Sequence, residues 1–135
     1  EIISNLKRTG SDGDTVPVIL SAVGSGHLLE TFAGCGADVV AVDWRTSIDD
    51  AWKRIGYEHG IMGNMDPAAL LGPREEIRAR VIDILDRASG RDGYVFNLGH
   101  GVLPQTDPAS ARYLVDCVHE LSRRGATADA KENTR

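Results

Sequence analysis

Four short, almost continuously apolar runs alternate with segments of helical periodicity along this chain. The runs lie near residues 18–23, 39–42, 60–62 and 94–98. Strands that are apolar at nearly every position, and not only at alternate positions, are typical of buried parallel strands. Parallel strands are joined by crossover connections, which are usually helices. The alternation therefore predicts an α/β fold with a parallel sheet and right-handed crossovers.

The connecting helices have recognisable ends. One is predicted from Pro73 to a glycine stop at Gly90, and another begins after Asp107 as N-cap and ends at Gly125. Two shorter helices are predicted over residues 27–33 and after Ser47. Apolar faces on the two longer helices repeat at helical spacing and comprise Ile77, Val81, Ile84, Leu85 and Ala88, then Ala111, Leu114, Val115, Val118 and Leu121.

Composition narrows the class of protein. The chain has 135 residues, 41% of them hydrophobic, and a formal net charge of −5. These values predict a single globular domain and exclude collagen-like, disordered and membrane-embedded classes. No run approaches the ~18 apolar residues of a membrane span and no signal segment opens the chain, so we expect a cytoplasmic protein. The negative charge argues against nucleic acid as a partner, because phosphate binding needs a basic surface.

Cysteines and termini give further expectations. Cys35 and Cys117 lack the spacing of a zinc site or a disulfide framework, so we expect reduced thiols. The first residue is not Met, and residues 2–6 have the pattern of a helix tail, so we expect a processed or truncated product. Residues 126–135 are small and polar and predict a disordered tail, which leaves 1–125 as the folded part.

Four βα units form either a small doubly wound sheet or half of an eight-stranded barrel, and periodicity alone does not decide between them. In both folds the residues at the carboxyl ends of the strands are placed for chemistry. That rule selects four segments, which are Gly-Ser-Gly-His at 24–27, Asp-Trp-Arg-Thr at 43–46, Gly-Asn-Met-Asp-Pro at 63–67 and Asn-Leu-Gly-His-Gly at 97–101.

Structural interpretations are favoured in two of these segments. A helix that opens after 24–26 can hold a phosphate, but Leu29 stands where a dinucleotide fingerprint has its third glycine, which favours an ordinary turn. His27 is expected to pack or to cap its helix. Asn64 and Asp66 are expected to be structural, with Asp66 as the N-cap of a short helix.

For Asp43 and Arg45, the sequence does not decide between a structural and a functional role. Asp43 follows a strand of Val and Ala and either carries charge at the mouth of the sheet or accepts hydrogen bonds from its own turn. Arg45 either binds a carboxylate, with Trp44 stacking beside it, or pairs locally. The spacing of these residues does not distinguish the alternatives.

His100 is the strongest functional candidate. Gly99 and Gly101 flank it at the end of an apolar strand and allow close approach of a bulky ligand. Imidazole supplies a donor or a cation that can meet a carboxylate near neutral pH. No Ser–His–Asp order, HExxH motif or His/Cys cluster appears in the sequence, so nucleophilic and metal-assisted hydrolysis have little support.

Several strings together resemble one family. The strings GNMDP at 63–67 and FNLGHG at 96–101, together with most of residues 16–124, resemble the C-terminal part of uroporphyrinogen decarboxylase. The resemblance implies the C-terminal half, strands five to eight with their helices, of a (β/α)₈ barrel. It also implies a cytoplasmic, homodimeric enzyme of haem biosynthesis that uses no metal or organic cofactor. Such an enzyme converts the four acetate arms of uroporphyrinogen to methyl groups and gives coproporphyrinogen.

The resemblance carries one substrate-binding residue onto this chain, His100. The family's paired arginines, its aspartate at the pyrrole N–H groups, its tyrosine and its hydroxyl residue lie in the half that this chain does not match. Catalytic residues are therefore not assigned, and the chain alone is expected to be inactive. Asp43, Asn64 and Asn97 are expected to shape the cleft. The alternatives are a zinc- and cobamide-dependent methyltransferase of the same barrel superfamily and a stand-alone small-molecule binding module.

Overall fold

The computed structural model describes residues 2–132, with side chains described as far as residue 123. Its strands and helices alternate in chain order: β1 (Ile19–Ser21), α1 (Leu29–Ala33), β2 (Val39–Ala41), α2 (Ile48–Ile55), β3 (Gly60–Met65), α3 (Arg74–Ala88), β4 (Tyr94–Leu98) and α4 (Pro108–Glu132). Short 3₁₀ turns lie at Ile3–Asn5, Gly26–Leu28 and Pro67–Leu71. The predicted α/β alternation is confirmed, and β3 is longer than its apolar run indicated.

The sheet is parallel throughout, with the strands in the order β1-β2-β3-β4. A doubly wound sheet reverses direction at a switch point, and this sheet does not reverse. Successive right-handed crossovers that step in one direction place every helix on the same face. The order therefore decides the question that periodicity left open, because a singly wound parallel sheet is an arc of a (β/α)₈ barrel.

One face of the sheet forms the core together with the helices. Trp52, Ile61 and Ile77 are fully buried there, and Tyr94 and Phe96 pack against them from β4. The expected face of α3 is confirmed, since four of its five apolar residues are buried and Leu85 is half-buried. The expected stripe of α4 is partly wrong, because Val115 is 50% exposed.

The opposite face of the sheet is open. Ile19 on β1 is 49% exposed and Val95 on β4 is 44% exposed, although both belong to the apolar runs. The strand register places Ala41 and Met62 between them on the same face. In a complete barrel this face is filled with layers of packed side chains. Its exposure here agrees with four strands of an eight-stranded barrel.

Helix ends follow their sequence signals with one correction. The Asp107 carboxylate accepts a hydrogen bond from the Ala109 nitrogen at 2.8 Å, so the predicted cap of α4 is confirmed. The predicted end of α4 at Gly125 is wrong, because the helix continues to Glu132. The residues that follow the glycine are rich in alanine, which has the highest helix propensity and offsets a single glycine. Residues 126–132 belong to this helix, so the predicted disorder does not apply to them, and residues 133–135 lie outside the described residues.

Candidate functional site

The first strand end is a turn stabilised by a neighbouring strand. The Gly24 nitrogen donates to the Asp43 carboxylate at 2.5 Å, and the Ser25 hydroxyl donates to the Ala22 carbonyl at 2.6 Å. The Gly24 N–H, one of the groups that could hold a phosphate, is therefore already paired with a carboxylate. This pairing agrees with the expected ordinary turn. The expected packing of His27 is wrong, since its side chain is exposed on the short 3₁₀ turn.

Asp43 combines the two roles that its spacing left open. Its side chain is 4% exposed and accepts hydrogen bonds from the Gly24 nitrogen, the Arg45 nitrogen at 2.9 Å and the Arg45 Nη1 at 3.0 Å. Burial favours the neutral acid, but these N–H donors and the Arg45 charge outweigh it and hold the pKa of Asp43 below its ordinary value. The residue is therefore a buried carboxylate that joins the ends of β1 and β2.

Trp44 carries a cation over its ring and a histidine beside it. The Arg45 guanidinium carbon lies 4.1 Å from the Trp44 ring centroid, within the range of a cation–π contact. The His100 ring is stacked with Trp44, with centroids 6.3 Å apart and planes inclined by 13°. Arg45 thus pairs locally with Asp43, as one alternative predicted, while its side chain stays 55% exposed.

His100 lies at the carboxyl end of β4, where the open face of the sheet meets its edge. Its side chain is exposed and lines a cavity of about 380 Å³ together with Ser21, Asp43 and Asn97. These residues come from β1, β2 and β4 or from the loops that follow them. The structure therefore brings His100, Asp43 and Asn97 to one cavity, as expected for residues at the ends of parallel strands.

Asn64 and Asp66 have structural roles, as predicted. The buried Asn64 amide donates to the carbonyl oxygens of Asp43, at 3.1 Å, and Thr46, at 2.5 Å. The Asp66 carboxylate accepts from the Ala68 nitrogen at 2.9 Å and begins the 3₁₀ turn at Pro67. Asn64 therefore fixes the loop that carries Trp44 and Arg45.

Sequence reasoning missed the contact between Trp44 and His100. The two residues follow β2 and β4, which do not pair directly, so nothing in the spacing predicted a shared ring contact. The available signal was the pair of small residues around His100. A Cβ atom on Gly99 would lie 2.5 Å from the Trp44 nitrogen. Because glycine has no Cβ atom, the two strand ends can approach each other this closely.

Among residues 2–123, no cluster of three or more His, Cys, Asp or Glu side chains is arranged to hold a metal ion. Cys35 and Cys117 are both free cysteines, the former exposed and the latter buried. Cys35 lies in the turn after α1. No helix in the described part of the chain has the length and apolarity needed to cross a bilayer.

Comparison with known proteins identifies the family of this chain. The family model for uroporphyrinogen decarboxylase (URO-D) matches residues 1–121, which include all four strands. The chain belongs to the uroporphyrinogen decarboxylase family. The resemblance based on GNMDP and FNLGHG is confirmed, and His100 lies within the matched residues.

Relatives within the family are similar at close to half of the aligned positions. The chain is 48% identical over 121 residues to the uroporphyrinogen decarboxylase of Carboxydothermus hydrogenoformans, covering 90% of this chain and 33% of that protein. It is 48% identical over 124 residues to that of Neisseria meningitidis serogroup C / serotype 2a, with 92% and 35% covered. For Sorangium cellulosum the identity is 41% over 122 residues, with 90% and 34% covered. The chain spans about a third of the length of these relatives.

A solved structure supports the barrel assignment. A methyltransferase from Methanosarcina mazei matches with a TM-score of 0.67 and 24% identity, covering 82% of this chain and 33% of that one. At this identity the likeness shows the shared fold alone. The four βα units of the uroporphyrinogen decarboxylase family member are therefore a partial TIM barrel.

Proposed function

We propose that this chain forms the C-terminal half of the barrel, strands five to eight with their helices, of a uroporphyrinogen decarboxylase, an enzyme of haem and porphyrin biosynthesis. The reaction removes the carboxyl groups of the four acetate side chains of uroporphyrinogen and leaves methyl groups, which gives coproporphyrinogen. The observation that carries this proposal is the position of His100, which lines a cavity at the carboxyl end of the strands in a chain of this family. Catalytic sites of (β/α)₈ enzymes are built at that end.

Decarboxylation of the acetate side chains requires the protein mainly to bind and orient the substrate. Loss of carbon dioxide breaks the bond between the acetate methylene and its carboxyl group, and a protonated pyrrole of the substrate accepts the electron pair. A proton delivered to the methylene carbon then completes the methyl group, and the pyrrole releases the proton that it had gained. No cofactor is needed in this scheme, and the protein must hold carboxylates and orient them. His100 would donate to a substrate carboxylate here, and Asp43, Asn64 and Asn97 would shape the cleft.

We further propose that the complete enzyme works in the cytoplasm as a homodimer and does not bind nucleic acid. The net charge of −5 supports the last point, because an acidic surface repels phosphates. Residues 1–125 would form its folded C-terminal part. The substrate residues that the family places earlier in the barrel lie in the part of the relatives that this chain does not match, so this chain alone would not turn over substrate.

A chimera tests the proposal. Residues 1–121 replace the matching third of the Carboxydothermus hydrogenoformans enzyme, and coproporphyrinogen formation from uroporphyrinogen is measured by chromatography after oxidation of the products. The unmodified relative is the control. We expect turnover within about tenfold of the relative, because the strand ends supply equivalent groups. A chimera that melts cooperatively yet releases no coproporphyrinogen contradicts the proposal.

The methyltransferase alternative has less support. The Methanosarcina mazei protein shares the fold at 24% identity, which does not extend to its reaction. In the part of the chain whose side chains are described, the buried Cys117 and the exposed Cys35 belong to no cluster of metal-binding groups. Tightly bound zinc at one equivalent, measured by mass spectrometry, would favour the alternative. Binding of a small molecule unrelated to tetrapyrroles would instead favour a stand-alone module.

A further inference from the structure

The orientation of the His100 ring depends on one described neighbour. Gly99 and Gly101 flank His100, so its backbone has more freedom than that of most residues. Among residues 2–123, no side chain or backbone group makes a hydrogen bond to the imidazole. The stacked contact with Trp44, at 6.3 Å between centroids and 13° between planes, is the interaction that defines the plane of the ring. A substrate-binding imidazole with so few contacts needs a neighbouring group that fixes its orientation.

Trp44 is itself held firmly. The Arg45 guanidinium lies 4.1 Å from its ring centroid, and the same guanidinium donates to the Asp43 carboxylate at 3.0 Å. Asp43 is 4% exposed and is anchored by the Gly24 nitrogen. The buried Asn64 amide fixes the Asp43 carbonyl and so the start of the same loop. A chain of contacts therefore extends from the buried carboxylate through the guanidinium and the indole to the imidazole.

We propose that Trp44 is a positioning residue for His100, and that the Asp43–Arg45 pair holds the Trp44 indole in the orientation that this role needs. The proposal rests on the proposed function of His100 as a contact to a substrate carboxylate. Trp44 does not line the cavity that His100 lines, so it acts through the imidazole and not on the substrate. A flat aromatic surface suits the role, because stacking restricts the tilt of a ring while leaving its nitrogen atoms free to donate.

Kinetics of the chimera separate positioning from simple packing. Trp44→Leu is expected to lower kcat/KM about tenfold, because a misplaced binding group loses orientation, while Trp44→Phe keeps an aromatic support and stays within about twofold. Positioning also predicts that the two substitutions are not additive. Once His100→Asn is present, adding Trp44→Leu should lower kcat/KM by a further factor of less than about two. Additive losses, or equal losses for Leu and Phe, would overturn the proposal.

Fluorescence of the 135-residue chain tests the stack without any enzyme assay. The chain has two tryptophans, and Trp52 is 1% exposed, so acrylamide quenching reports mainly on the half-buried Trp44. We expect His100→Ala to raise the quenching constant by about half or more, because the imidazole covers part of the indole. His119→Ala, on the exposed side of α4, is the matched control and should leave the quenching constant unchanged.

The two experiments distinguish the possible failures. An unchanged quenching constant in His100→Ala shows that the stack does not form in solution and overturns the proposal, even if Trp44→Leu fails to fold. If the 135-residue chain forms the stack but the unmodified chimera lacks activity, the result contradicts the proposed function instead. A normal stack in an active chimera whose kcat/KM is insensitive to Trp44→Leu overturns only the positioning role.

Discussion

Gly99 packs so closely against Trp44 that a Cβ atom added to the glycine would lie 2.5 Å from the Trp44 backbone nitrogen. The Gly99 nitrogen also donates to the Met65 carbonyl at 2.7 Å, which extends the pairing of β4 with β3 by one residue. The chain after β4 therefore crosses the end of β3 and reaches the loop after β2. This crossing places His100 beside the Trp44 ring.

Gly99→Ala tests the need for this contact. The new methyl group would overlap backbone atoms of Asp43 and Trp44, which cannot move away as a flexible side chain could. We expect a loss of about 1–3 kcal/mol in the free energy of unfolding, measured by urea denaturation. Gly101→Ala is the matched control, since an added Cβ there meets no atom within 4 Å. Equal stability of the two variants would contradict the close contact as described.

His100→Asn tests substrate binding in the chimeric enzyme. Asparagine keeps a hydrogen-bond donor but cannot become a cation, so we expect slower turnover or an altered product distribution at unchanged thermal stability. The exposed position of the side chain is the reason that stability should not fall. Kinetic constants and the melting temperature are measured on one preparation. Unchanged kcat and KM with a lowered melting temperature would remove His100 from the site.

Much of the fold was predictable because the signals are local. The Asp66 and Asp107 caps and the buried face of α3 depend on residues within a few positions of one another, and each was predicted. The choice between a doubly wound sheet and a barrel depends on strand order, which is a long-range property. Local periodicity contains no information about it, so only the family resemblance pointed to the barrel.

The candidate site was predictable in position but not in its contacts. The rule for strand ends selected Asp43 and His100, and the structure places both at one cavity. Ring stacking between Trp44 and His100 depends on loop conformations after two strands that are not neighbours. The predicted helix end at Gly125 was wrong for a local reason, because the helix propensity of the residues around it outweighs the low propensity of one glycine.

The open face of the sheet predicts self-association of the isolated chain. Ile19 and Val95 expose apolar side chains on outer strands whose free edges can pair with another chain. We expect light scattering to detect dimers or larger species at micromolar concentration. The double variant Ile19→Thr/Val95→Thr should shift the distribution toward monomer, whereas Ile82→Thr, 39% exposed on α3, should not. A monodisperse monomer with a cooperative melt would contradict this prediction.

Asp43 predicts an acid-dependent loss of stability. Burial opposes its ionisation, but bonds from Gly24 and Arg45 lower its native pKa below the ordinary value of about 3.9. The unfolded chain therefore takes up a proton first as the pH falls. The stabilisation is fully present above about pH 5 and is lost as the pH falls through the native pKa.

Asp43→Asn removes that carboxylate and should make the free energy of unfolding less dependent on pH below about 5. At pH 7 the variant should lose about 1.5–3 kcal/mol, the usual contribution of hydrogen bonds to a charged group. Asp86→Asn, at an exposed position on α3, removes the same charge without buried partners and is the matched control. Urea denaturation at pH 7, 5 and 4 measures both variants. If Asp43→Asn keeps the acid dependence of the parent chain, a carboxylate other than Asp43 causes it.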